Sequence, residues 1–186
     1  MTLADHLRDH VSATKATKVD ACRRNGGPAD LLPMLIWVGW DNKSSIALME
    51  AKGSTMDYLP KMLSLVAQQD PQILIYMAES FAKTVGSEAE LTKFEMTHAH
   101  GDLRRLHERL GPLSGVVELI AFSGIDLATG EQMQAICRFG YDDQGIPKFD
   151  ETDFRAVERS NIGRASVTLI FDAFYEFMKK TRAEKN

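Results

Sequence analysis

Cysteine is scarce in this chain, with only Cys22 and Cys137 among 186 residues. Two isolated thiols form no CxxC and no ladder of spacings, which excludes a disulfide framework and a cysteine zinc site and fits a reducing cytosol. Long hydrophobic runs are also missing. The densest, Met34 to Trp40, is far shorter than the roughly 20 residues a membrane-crossing helix needs. The opening residues, Met1-Thr-Leu-Ala-Asp-His-Leu-Arg8, carry no apolar stretch and no cleavage site, so no secretory signal is expected. No charge dominates: 22 basic side chains against 26 acidic give a net charge of −4. That balance argues against nucleic acid and anionic membrane as partners, and the expected location is the cytoplasm. Phosphate-cradling loops are lacking too, since no GxGxxG follows a strand and no GxxxxGK[ST] occurs. Ser114, in Gly111-Pro-Leu-Ser-Gly115, lacks the GxSxG spacing of a nucleophile elbow, and Ser123 has no assignable base.

What is present is ordinary globular material, 44% hydrophobic and 26% charged. The length suits a single domain over residues 1–186, able to bury roughly 70% of its unfolded surface without a metal or disulfide. Leu3, Leu7 and Val11 start a helix to about Cys22 with a thin apolar stripe, stopped by Asn25-Gly-Gly-Pro28. A stripe so narrow predicts that residues 1–27 either dock loosely or complete their face on a second subunit. Met34 to Trp40 and Ser45 to Ala51 flank a polar turn and predict a hairpin, with Trp37 and Trp40 on opposite faces. A helix follows with Asp57 as N-cap, which puts Pro60 in the first turn where its missing N–H does no harm.

Ile73 to Ala78 is apolar on both faces and reads as a central strand, whereas Ser80 to His100 shows no clear period. A short helix over Asp102 to Leu110 is followed by strands at Val116 to Phe122 and Gln132 to Tyr141. In the second, Met133, Ala135, Cys137, Phe139 and Tyr141 alternate with a mostly polar face, which marks Cys137 as core filler. The last helix places Val167, Ile170, Phe171, Phe174, Phe177 and Met178 on one side and ends in cations at its negative pole. The order α-β-β-α-β-(α)-β-β-α predicts an α+β fold with a mostly antiparallel sheet of about five strands covered by helices.

His98, His100 and Asp102, with His107 further on, are the one cluster suited to a divalent metal, because two histidines one residue apart on extended chain face the same side. The stretch resembles the metallo-β-lactamase pattern H-x-H-x-D-H but has Leu103 where a histidine belongs. The spacing expected of a JAB/MPN-type metalloprotease fails as well, with Glu108 and Gly111 near the required serine and aspartate positions. The order of elements is similar to the JAB/MPN fold, yet Ala78-Glu-Ser-Phe81 stands where that fold holds its histidines, implying a version without the metal site. Paired acids such as Asp142/Asp143 and Asp150/Glu151/Asp153 sit in turns, where carboxylates serve the backbone. Glu118 is different: it interrupts the apolar run Val116 to Phe122 and calls for a partner, with Arg138 on the neighbouring strand a candidate.

Gln72-Ile-Leu-Ile-Tyr-Met-Ala-Glu-Ser-Phe81, with Glu79 near its end, is similar to a strand closing on a Glu-Ala-Trp-like motif. Gly115 to Tyr141 adds a Glu-containing strand, a Gly turn and the Arg138-Phe139 pair. On these residues the chain resembles a group of uncharacterised bacterial and phage proteins of similar length. Phe81 replaces the group's Trp, and Leu113-Ser-Gly-Val-Val-Glu118 replaces its Pro-x-Arg-Glu lead-in. The resemblance implies the order of elements and no activity. The expected function is a non-enzymatic binding or assembly domain of mobile-element or phage type, needing no cofactor and forming a homodimer. A metal-dependent hydrolase on His98 and His100, and a small-ligand-binding domain, are the alternatives.

Overall fold

The computed structural model describes residues 1–49, 55–83, 115–157 and 167–184. Helix α1 runs over Leu3–Asn25, followed by strands β1 (Met34–Val38) and β2 (Ser44–Leu48) and helix α2 (Thr55–Val66). Strands β3 (Ile73–Lys83), β4 (Val116–Asp126), β5 (Gln132–Tyr141), β6 (Pro147–Phe149) and β7 (Asp153–Ala156) come next, and helix α3 (Val167–Ala183) closes the fold. The strands form one antiparallel sheet in the order β2-β1-β3-β4-β5-β6, with β7 paired to β5 beside β6. The α+β class and the central place of β3 agree with the pattern of the sequence. The sheet has seven strands rather than five, because β6 and β7 are three and four residues long and too short to show a period.

Helix α1 is fixed at both ends by local chemistry. The Thr2 hydroxyl accepts from the Asp5 N–H while the Asp5 carboxylate accepts from the Thr2 N–H, a reciprocal cap. At the other end Gly26 takes a left-handed φ of 69°, so that Gly26 and Gly27 can donate back to the Arg23 and Cys22 carbonyls. Leu3, Leu7, Val11 and Cys22 are buried, and His6, Thr14 and Lys18 are buried with them. The stripe looked thin only because polar side chains complete it. α1 lies across β4, β5 and β6, and Gly124 of β4 lets it come close, since a Cβ there would stand 2.9 Å from Leu3 Cδ1. Lys15 anchors the flank by donating to Thr152 Oγ1 at 2.7 Å.

The opposite face of the sheet carries α2 and α3, packed through Leu59, Leu63, Phe171, Phe174 and Met178 on Leu35, Leu74, Tyr76 and Ile125. Burial on α3 is rotated from the expected face: Thr168 is buried, whereas Phe177 is half exposed. α2 begins at Thr55, two residues before the expected N-cap, so Pro60 lies inside the helix instead of its first turn. Trp37 packs under α2 and α3, but Trp40 is beyond the end of β1 in an exposed turn. The Arg182 guanidinium sits 5.2 Å over the Trp40 ring and donates to Asp70 Oδ1 and to the Pro71 and Leu127 carbonyls. It thereby ties the end of α3 to the end of the sheet. No helix among the described residues is long and apolar enough to cross a membrane.

Candidate functional site

Strand alternation sends Ile73, Ile75, Met77 and Glu79 of β3 toward α1, together with Glu118 of β4 and Cys137, Phe139 and Tyr141 of β5. Helical spacing brings Lys18 onto the same face, after Leu3, Leu7, Val11 and Thr14 and before Cys22. The result is a polar cluster inside an otherwise apolar layer. Lys18 is fully buried, and its Nζ donates to Glu79 Oε1 at 2.7 Å and to the Ala29 carbonyl at 2.6 Å. Glu79 Oε2 accepts the Leu31 N–H at 3.0 Å. One ion pair thus joins α1, β3 and the connection from α1 to β1. The ammonium also lies over the Phe139 and Tyr141 rings, at 5.0 and 5.7 Å from their centroids.

Beyond the ion pair, the Tyr141 hydroxyl donates to Glu118 Oε2 at 3.3 Å. Burial, and then the negative charges of Glu118 and Glu79, push the Tyr141 phenol far above its ordinary range, so it stays neutral and keeps its proton for Glu118. A cleft of about 290 Å³ opens beside this pair, lined by Val116, Val117, Glu118, Phe139, Gly140 and Tyr141, with Gly115 at its rim.

The acids singled out in the sequence, Glu79 and Glu118, therefore share one face of the sheet. Arg138 is not with them. The register sets Glu118 opposite Phe139 and Arg138 opposite Leu119, so Arg138 emerges on the other face, where it is exposed. Cross-strand neighbours share a side, and a shift of one residue is enough to separate them. Lys18 and Tyr141 are the members that sequence reasoning missed. Lys18 had one available signal, since it continues the spacing of the buried stripe. Cys137 fills the core as expected, buried with its Sγ 3.6 Å from Thr152 Oγ1, and burial pushes its thiol up. His98, His100 and Asp102 lie outside the described residues. Among the described residues no three His, Cys, Asp or Glu side chains stand together as a metal site. No family model matches the chain, and no curated protein or solved structure matches it.

Proposed function

We propose that this chain is a non-enzymatic binding and assembly domain that works as a two-fold homodimer joined through β2. The observation that carries the reading is the contrast between the two edges of the sheet. The β6–β7 edge presents Pro147, Lys148, Asp153 and Arg155, the residue types that keep an edge from pairing. β2, with the sequence Ser-Ser-Ile-Ala-Leu, has neither charge nor proline, and Ile46 and Leu48 are 54% and 63% exposed. The Met49 N–H donates to the Pro33 carbonyl, which brings half-exposed Leu32 to the same end of the strand.

An antiparallel pairing of two β2 strands centred on Ile46 is self-complementary, as a two-fold contact must be. Ile46 would meet its own copy, and Leu48 would meet Ser44 of the other chain, with every open N–H and C=O of the edge paired. Burying side chains of this size contributes about 1.5–3 kcal/mol each. The free thiols Cys22 and Cys137 support a reducing location, the cytoplasm.

Light scattering over a concentration series tests the proposal. The unaltered chain should show twice its 20.8 kDa mass. Ile46→Lys, which acts on both copies at once, should return it to one chain with an unchanged circular dichroism spectrum. A single-chain mass up to high micromolar concentration overturns the dimer. Elemental analysis tests the non-enzymatic part: the purified protein should hold no stoichiometric zinc, manganese or iron, and metal that disappears in the His98→Ala, His100→Ala double variant refutes it.

A further inference from the structure

We infer that the first half of α1, Leu3 to Val11, is an acid-released clasp on the sheet: protonation of His6 and His10 unwinds it while Lys15 and Lys18 keep the second half docked. The two halves of the helix are anchored differently. In the second, Lys15 donates to Thr152 Oγ1 at 2.7 Å, and Lys18 donates to Glu79 Oε1 at 2.7 Å and to the Ala29 carbonyl at 2.6 Å. In the first, the side-chain hydrogen bonds among the described residues stay within the helix and its cap, between Thr2, Asp5 and Arg8. What holds this half to the strands is the burial of Leu3, Leu7 and Val11, with Arg8 lying 5.9 Å over the Phe154 ring.

His6 stands in that apolar half with 3% of its surface exposed, and no hydrogen bond reaches its Nε2. His10 follows about one turn later on the same flank, close enough to feel the charge of His6. The charges that reach the two imidazoles lie on α1 and the residues before it: the Met1 amine, Asp5 and Asp9 at His6, and His6 and Asp9 at His10. Among the described residues the sheet supplies no counter-ion. β1, β3, β4 and β5 meet this half with apolar side chains, and β6 and β7 bring Phe149 and Phe154. The acids on this face are engaged elsewhere: Glu79 by Lys18, Glu118 by the Tyr141 hydroxyl, and Asp126 by the Ala128 and Thr129 N–H groups. Burial therefore keeps both imidazoles neutral while the helix is docked, and water solvates their charge once the segment is free. A released stretch of about ten residues is too short to stay helical alone, so release means unwinding. Each histidine that takes its proton only in the released form raises that form's population about tenfold per pH unit below about 6.5, and the pair about a hundredfold. The floor uncovered is the part of the sheet at Gly124 and Ile75, beside which Leu3 and Leu7 rest.

Hydrogen exchange of the full chain between about pH 7 and about pH 5, corrected for the intrinsic rate at each pH, tests the clasp. Protection of the Leu7 to Val11 amides should fall by about tenfold to a hundredfold per pH unit, and that of Lys18 to Cys22 less steeply. The His6→Gln, His10→Gln double variant should lose this difference. An equal decline along the whole helix assigns the histidines to global unfolding and overturns the clasp, as does a flat profile or a steep decline that survives in the double variant. Should that variant fail to fold, titration of the imidazole resonances in the unaltered chain decides. His6 must gain its proton in step with the loss of protection at Leu7 and Val11, and a His6 that charges while those amides stay protected refutes the inference.

Discussion

Replacing Glu79 by glutamine removes one charge from the interior while preserving nearly all of the side chain's shape. Lys18 would be left fully buried, with the Ala29 carbonyl and two aromatic rings but no counter-ion from β3. The Glu79 side chain is only 8% exposed, so water offers little relief. Removing one partner of a buried ion pair costs about 3–5 kcal/mol, a large share of the about 5–15 kcal/mol that holds a domain folded. A glutamine oxygen can still accept the Leu31 N–H, so the loss reports the charge and not that hydrogen bond. Lys18→Met should cost a similar amount, because it strands the carboxylate instead. The Lys18→Met, Glu79→Gln double variant leaves neither charge exposed to the other's absence. It should be less destabilised than the sum of the singles by about 2 kcal/mol or more. Urea unfolding followed by circular dichroism measures all four chains. A loss below about 1 kcal/mol for Glu79→Gln, with additive singles, refutes the reasoning: the pair would then be hydrated in solution and the cluster would not be interior.

The remaining expectations concern the two layers on either side of the sheet. Phe174, buried between α3 and the sheet, should cost about 3–5 kcal/mol when cut to alanine, and a loss under about 1 kcal/mol by urea titration means that this face is not core. On α1, burial holds the His6 and His10 imidazoles below the usual histidine value, and no hydrogen bond reaches His6 Nε2. As pH falls through about 6.5, the unfolded chain takes up protons that the folded chain resists, so stability must fall with pH in that window. Melting temperatures from pH 7.5 to 5.5 should show the decline and His6→Gln should flatten it, whereas an unchanged slope in that variant assigns the effect to other groups.

Legibility in the sequence followed the range of the interactions. Strand β5 could be read because its alternation is local, and β3 because it is apolar on both faces. In α3, Phe171, Phe174 and Met178 fell on the expected side, but the stripe was broad enough to hide a rotation that buries Thr168 and exposes Phe177. Glu118 and Glu79 stood out as charges in apolar surroundings. Their partners did not, because Lys18 lies 61 residues from Glu79 and Tyr141 lies 23 from Glu118. No local pattern encodes such pairings; they arise from the order in which strands join the sheet. Lys18 was further disguised by its type, since lysine is normally read as solvent-facing, and its burial depends wholly on an acid delivered by another strand. Arg138 shows the converse: its place on the neighbouring strand made it a plausible partner for Glu118, and the pleat put it on the far side.

The separation of the cleft from the β2 edge has a consequence for how the two could work together. β1 and β3 intervene between β2 and β4, which at a spacing of about 4.8 Å per strand sets the edge roughly 14 Å from the nearest strand of the cleft. A dimer made through β2 therefore extends the sheet without covering Glu118, and each copy keeps its own opening. Among the described residues, β3 joins the two: it hydrogen-bonds to β1 at one side and β4 at the other and carries Glu79 on the face turned to α1. Because Glu79 holds Lys18, and Lys18 rests on the rings that line the cleft, β3 is the element through which a change in the cleft could be felt at β1. The two places are distinct in the sheet: Ile46 pairs with Ile36 at the β2 edge, and Glu118 takes the Tyr141 hydroxyl between β4 and β5.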